Sequence, residues 1–248
     1  MEVEFVMRYR VKFQKYGVMK FVGHLDIMRY FQKAFRRAAL PIRYSEGFNP
    51  HQIMSFAAPL GVGITSDGEY MDVDMKEEVL SEDTLQKLDS VMVDGMKILE
   101  FRALNDSAKK AMTAVRAASY LLYYKEDIFL SKEDLQSKLA AFYGRPEILI
   151  IKMTKKSERE LDLKPLIFSF EVVELPEVLR EESAYSFGLK LCVSTGSTDN
   201  IKPELVMEHF HKSAGLEDVS FGIHRVDLYT FDDNEELISL GDVGYDVQ

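Results

Sequence analysis

The chain is nearly without cysteine: among its 248 residues only Cys192 carries a thiol. One thiol excludes an intrachain disulfide and fits a reducing cytoplasm, the expected location. It also excludes a self-contained, cysteine-ligated iron–sulfur cluster or zinc knuckle, because each needs several thiolates. Long apolar runs are missing too. None approaches the roughly 18 residues of a membrane-crossing helix, so no membrane partner is expected. The opening MEVEFVMRYR has acids where a secretory signal needs a basic start and an apolar stretch. No complete catalytic constellation can be read. His209 and His211 lie two apart on a predicted helix and cannot share a face, so no metal site is assigned.

What is present describes a globular protein long enough for two ordinary domains, with 46% hydrophobic and 29% charged residues. The net charge of −10 argues against nucleic-acid binding, but the charge is unevenly spread. Residues 1–52 hold ten bases against four acids, which leaves −16 for the remainder. Such asymmetry hints at an anionic partner for the N-terminal part, or at neutralisation of one part by the other.

The periodicities predict strand, helix, strand, strand, helix, strand, and then the same order again. Met7–Phe13 alternates as a half-buried strand, and Leu25, Met28, Phe31, Phe35 and Ala38 follow at helical spacing up to Pro41. Ile53–Ala58, Tyr70–Met75 and Met96–Leu104 read as strands, with a helix from Ser81 between the last two. In the second set, Ser131 with Asp134 opens a helix stopped by Gly144, and Pro203 opens one stopped by Gly215. The predicted fold class is α+β: two tandem ferredoxin-like (βαββαβ) units with antiparallel sheets. The expected domains are 1–108 and 114–231, joined by a linker within 105–116, with an acidic, frayed tail over 232–248.

The stretch from Gly23 to His51 concentrates the candidate residues. Arg29, Lys33, Arg36 and Arg37 recur at spacings of three and four, so they share one side of the first helix. Arg43 and the loop Tyr44-Ser45-Glu46-Gly47-Phe48-Asn49-Pro50-His51 follow directly. Gly47 tolerates positive φ and Pro50 holds Asn49 extended, so a shaped loop is expected to display Ser45, Phe48, Asn49 and His51. Guanidinium groups beside such a loop suit phosphate contact. His24, at a helix start where the dipole favours neutral imidazole, is a candidate base, with His51 as a candidate acid. The cations Arg8, Arg10 and Lys12 face Asp72, Asp74, Glu100 and Arg102 across a ferredoxin-like sheet, and cross-strand ion pairs are expected there. Cys192, between Leu191 and Val193, reads as core.

Gly23-His24-Leu25-Asp26, Ser45-Glu46-Gly47-Phe48-Asn49-Pro50, Pro59-Leu60 and Asp162 with Pro165-Leu166-Ile167 together resemble the radical-SAM-linked protein family. This is a bacterial domain of unknown function found beside, or fused to, cobalamin-binding radical SAM proteins. The resemblance starts near Met7, so Met1–Val6 reads as an extension. It implies a partner, a radical SAM protein carrying the S-adenosylmethionine and iron–sulfur cluster, while this chain binds no cofactor alone. The architecture also has a weaker likeness to tandem ferredoxin-like RNA-processing proteins of CRISPR systems. Those carry a glycine-rich loop late in the chain, whereas Gly196, Gly215, Gly222, Gly241 and Gly244 are dispersed here. Three functions follow: an accessory protein presenting RNA or a nucleotide to a radical SAM partner, a metal-independent RNA-processing enzyme, or a protein scaffold.

Overall fold

The computed structural model describes residues 7–153, 158–196 and 199–248; the expected extension Met1–Val6 lies outside them. The chain is of mixed α+β class and divides into two compact units. One holds the residues up to Arg116 together with Asp227–Gln248, and the other holds Ala117–Val226.

The first unit begins with β1 (Met7–Lys15), α1 (His24–Arg37), β2 (Met54–Phe56), β3 (Thr65–Met75), α2 (Ser81–Asp89), β4 (Met96–Ala103) and a single helical turn, α3 (Ala111–Ala114). Strand β1 lies between β3 and β4, antiparallel to both, and β2 adds antiparallel to β3. The alternation of β1 separates two chemistries. Tyr9, Val11 and Phe13 enter a core with Met71, Val73 and Met75 of β3 and Ile27, Phe31, Ala34 and Phe35 of α1. The spacing of those α1 residues places them on one side of the helix. The predicted inward row is therefore partly corrected: Phe31 and Phe35 are core, but Leu25 is 67% exposed. A residue four before Arg29 shares its outer side, and Ile27 occupies the first inward position instead.

On the other face of β1 the expected ion pairs are present. Arg10 donates to both Asp72 oxygens (2.8 and 3.1 Å), Arg8 pairs with Asp74 (3.4 Å), and Lys12 and Arg102 approach Glu100 (3.7 and 3.5 Å). Arg10 is 1% exposed and also donates to the carbonyls of Leu240 (3.1 Å) and Lys109 (3.0 Å). The amide of Ala111 donates to Asp72 (2.6 Å), and Ala111, Ala114 and Val115 are buried. Residues 109–115 are thus held against the first unit's sheet, where their backbone groups meet the buried Arg10–Asp72 pair, rather than strung as a linker.

The second unit contains β5 (Ala117–Tyr124), α4 (Lys132–Tyr143), β6 (Leu149–Met153), β7 (Glu158–Asp162), β8 (Ile167–Glu174), a short α5 (Glu177–Arg180), β9 (Phe187–Ser194), α6 (Pro203–Ala214) and the start of β10 (Phe221–Phe231). Strand β9 pairs antiparallel with β5 and β8, and β10 lies on the other side of β5. A separate hairpin, β6–β7, is the insertion. Ser131 caps α4 by accepting from the Asp134 amide, Pro203 starts α6, and Gly215 ends it at φ 67° in the left-handed region. Phe142 of α4, Phe170 of β8 and Phe210 of α6 meet as ring pairs with centroids 5.6–6.4 Å apart. Asp162 accepts from the amides of Ile148 (2.8 Å) and Lys164 (2.9 Å), which closes the base of the inserted hairpin. Cys192 is buried, as expected.

The chain then returns to the first unit. There, β11 (Leu237–Ser239) pairs with β10, and Tyr245 bridges to Ala103. Asp227 accepts from Tyr70 (2.6 Å), Ser239 (2.9 Å) and Lys12 (3.1 Å), while Leu240 is fully buried. Ser81, expected to cap α2, instead accepts from the Val247 amide and donates its own amide to the Val247 carbonyl. At Gly241 a Cβ would lie 2.3 Å from Glu100 Oε2, so a larger residue there would displace the Glu100 carboxylate. The acidic tail is therefore a docked strap, held by its few apolar and hydroxyl residues and by Asp242 and Asp246, which pair with Arg102 (3.3 and 3.7 Å). No helix among the described residues is long and apolar enough to cross a membrane.

Candidate functional site

The SEGFNPH segment is a projecting tongue of the first unit. Ile42 bridges to Met75 at the end of β3, and the Arg43 amide donates to the Asp74 carbonyl (2.8 Å). The chain then pairs with itself. Tyr44 bridges to Gln52, the Ser45 amide donates to the His51 carbonyl (2.8 Å), and the Ile53 amide donates to the Arg43 carbonyl (2.9 Å). Residues 46–51 form the exposed tip, where Gly47 adopts φ 106°. Phe48 is fully exposed, with Asn49 beside it. At this hydrogen-bonded tip the phenylalanine ring stands wholly in water.

His51 closes the tongue. Its amide donates to Ser45 Oγ (3.1 Å), and Nδ1 lies 2.8 Å from the same oxygen. Ser45 Oγ thus meets both the amide and the ring of His51, and in the ring contact either atom can be the donor. Below the tongue is a cavity of about 160 Å³ lined by Arg8, His51, Gln52, Ser55, Asp74 and Lys110, with Asp72 at its floor. Gln52 is 4% exposed; its Nε2 donates to the Tyr44 hydroxyl (3.2 Å), and its Oε1 is buried with no partner.

The outer side of α1 carries the predicted stripe, and Arg29, Lys33, Arg36 and Arg37 are all exposed. Arg29 pairs with Asp26 at 3.1 Å, so Asp26 holds a side chain rather than a helix amide. Arg36 donates to the Gln32 carbonyl, and Arg37 donates to the Val91 carbonyl (3.0 Å) and lies over the Tyr30 ring. Arg43, half-buried, stands where the tongue leaves β3. Residues 38–41 join the stripe to the tongue.

His24 and His51 are not brought together. His24 packs edge-on against Phe56 (centroids 5.3 Å apart) and lines a cavity of about 20 Å³, room for roughly one water. Buried Lys15 and Glu69 line that cavity as well, and it shares no residue with the one His51 lines. The two histidines line different cavities among the described residues.

Sequence reasoning does not reach Arg8, Gln52 and Lys110 as site residues. Arg8 reads there as an ion-pairing strand residue and Lys110 as part of a linker. Their meeting depends on residues 105–116 folding back on the sheet, which no local pattern signals. Gln52, next to His51 and followed by the apolar Ile53, is the nearer clue.

A family model described as "Uncharacterized protein conserved in bacteria (DUF2344)" matches residues 8–203, and the chain belongs to that family. No curated protein matches it. Among solved structures, one chain of "Crystal Structure of a Cbf5-Nop10-Gar1 Complex" is similar at 12% identity and TM-score 0.47; the match covers 94% of this chain and 53% of that one, so this chain spans about half its length. "Crystal Structure of an Unknown Protein from Galdieria sulphuraria" is similar at 12% identity and TM-score 0.25, over 90% of this chain and 99% of that one. Likeness of this degree carries no argument about activity.

Proposed function

We propose that the protein is an accessory module that binds single-stranded RNA or a nucleotide through its first unit and presents it to a partner enzyme. The observation that carries this reading is the exposed Phe48 ring on a hydrogen-bonded tongue, joined through residues 38–41 to a helix side bearing four exposed cations. An aromatic face for a base beside cations for the backbone is the usual economy of single-strand binding. The strand orders support a tandem ferredoxin-like reading: β4-β1-β3 with β2 beyond in the first unit, and β10-β5-β9-β8 in the second, both as a split βαβ pair requires. The partner in this reading is the radical SAM protein expected from the sequence resemblance. It would bring the S-adenosylmethionine and the iron–sulfur cluster, for which this chain's single cysteine offers no ligand set.

The test is fluorescence anisotropy of a short single-stranded RNA with wild type and Phe48→Ala, alone and with the radical SAM protein. Loss of one stacked base weakens binding by about 1–3 kcal/mol. Equal affinity of the two proteins would remove Phe48 from the account. No binding under any condition would favour the scaffold reading, with Phe48 as an anchor for protein. The RNA-processing enzyme has no support in the geometry, since His24 and His51 line separate cavities.

A further inference from the structure

We infer that the cavity at the root of the tongue is a phosphomonoester site, taking the terminal phosphate and adjoining ribose of an RNA strand or a free mononucleotide. The inference rests on the RNA-or-nucleotide reading above and adds to it a second, chemically distinct point of contact. At about 160 Å³ the cavity is smaller than the roughly 300–1,000 Å³ that encloses a whole small-molecule ligand, so it suits one end group with the rest of the ligand outside.

Its lining supplies donors on one side and a single orphan acceptor. Asp74 engages Arg8 only through Nε, at 3.4 Å, which leaves both Nη groups of that guanidinium unbound by the carboxylate. Lys110 is exposed at the rim, and His51, held by Ser45 at Nδ1, lines the same cavity. The Nη groups of Arg8, the Lys110 ammonium and the His51 imidazole form a side-chain set suited to phosphate oxygens. The floor does not oppose an anion. The Asp72 charge is met by the Arg10 fork and the Ala111 amide, and Asp74 is met by Arg8. The opposite requirement comes from Gln52, whose buried Oε1 lacks a donor, and a buried acceptor left unmade is costly. Phosphate alone does not provide that donor; the hydroxyl of an adjoining sugar does.

The experiment measures binding to the full chain of one RNA sequence carrying a 5′-phosphate, a 3′-phosphate or neither, and of AMP. Wild type is compared with Lys110→Ala and His51→Ala, each checked for an unchanged thermal midpoint. The expected result is a preference of about tenfold or more for a phosphorylated strand over the unphosphorylated one, the size of one charge-assisted contact, falling toward unity in both variants. AMP binding that is lost in both variants, without strand binding, would assign the site to a free nucleotide and overturn only the RNA presentation. Strand binding with no phosphate preference would overturn the phosphomonoester site and leave the presentation reading standing. A preference that survives both substitutions would place phosphate recognition elsewhere. No binding of any probe would overturn both.

Discussion

Arg10 and Arg36 belong to the same unit and carry the same charge, yet they stand at opposite extremes. Arg10 is 1% exposed, with two Asp72 oxygens and two main-chain carbonyls around it, whereas Arg36 lies in water on α1 and bonds only a carbonyl of its own helix. The contrast extends to whole faces. On β1, Arg10 is paired with Asp72 and covered by residues 109–111 and the C-terminal strap; the cations of α1 are presented outward. A ferredoxin-like sheet used for RNA would show its open face to bases. Here Arg10, Asp72 and the strap close the middle of that face, which leaves the helix, the tongue and the cavity at the tongue's root. Counting basic residues over 1–52 does not make this distinction, but tracing their partners does.

The largest effect expected from breaking the comparison is on stability. Arg10→Ala leaves Asp72 charged, buried and without its fork, a change that typically costs about 3–5 kcal/mol. Arg36→Ala should stay within about ±0.5 kcal/mol. Urea unfolding of the two variants side by side makes the measurement; similar midpoints would mean that Arg10 is not the closed group described. Asp72→Asn should resemble Arg10→Ala, and the double variant should be less than additive because the two residues form one interaction.

A histidine sharpens the same contrast from the second unit. His211 is buried against Tyr124, their side chains 3.2 Å apart, and burial pushes its pKa down to about 4. Above about pH 6.5 the ring is neutral folded and unfolded, and it adds no pH dependence. As the pH falls from there toward 4, the unfolded chain takes up a proton that the folded chain does not, so stability declines, by about 2 kcal/mol once solvent screening is allowed for. Below about pH 4 this contribution levels off. His211→Gln should flatten the stability curve between those limits, and an unchanged slope would show that the ring protonates freely in the folded state.

The smallest effect on stability belongs to the exposed face. Replacing Arg29, Lys33, Arg36 and Arg37 together with glutamine should leave the unfolding midpoint nearly unmoved, because each is a surface change of about ±0.5 kcal/mol or less. A drop comparable to that of Arg10→Ala would show the stripe to be structural.

Much of this is legible in the chain. Ser131 before Lys132–Tyr143, Pro203 and Gly215 around α6, and the alternation of β1 act through neighbours in sequence, and they stand where periodicity and capping place them. The ion pairs of Arg8, Arg10 and Lys12 follow from strand order once the sheet is assumed. What stays hidden depends on meetings between distant segments. The 105–116 stretch resembles a linker because Asn105, Asp106, Ser107 and the lysines are polar, but its alanines fill the space over Asp72. The strap resembles a frayed end because its acids outnumber its anchors, yet Ser239 reaches Asp227 and Leu240 reaches Arg10, the latter across 230 positions of sequence. Composition singles out the candidate loop, but not the pairing of Arg43–Ser45 with His51–Ile53, nor the cavity beneath it. The outward turn of Leu25 escapes the periodicity because one end of an amphipathic row is hard to phase from spacing alone.

That the outward cations of α1, and not the enclosed Arg10, meet nucleic acid is checked by the salt dependence of RNA affinity. Wild type and the Arg29/Lys33/Arg36/Arg37 quadruple glutamine variant are titrated with one single-stranded RNA across a salt series. The variant should bind more weakly, with a slope of log affinity against log salt flatter by about 0.7 for each phosphate no longer neutralised. Wild-type binding whose slope is the same in the variant would place phosphate neutralisation elsewhere and contradict the claim.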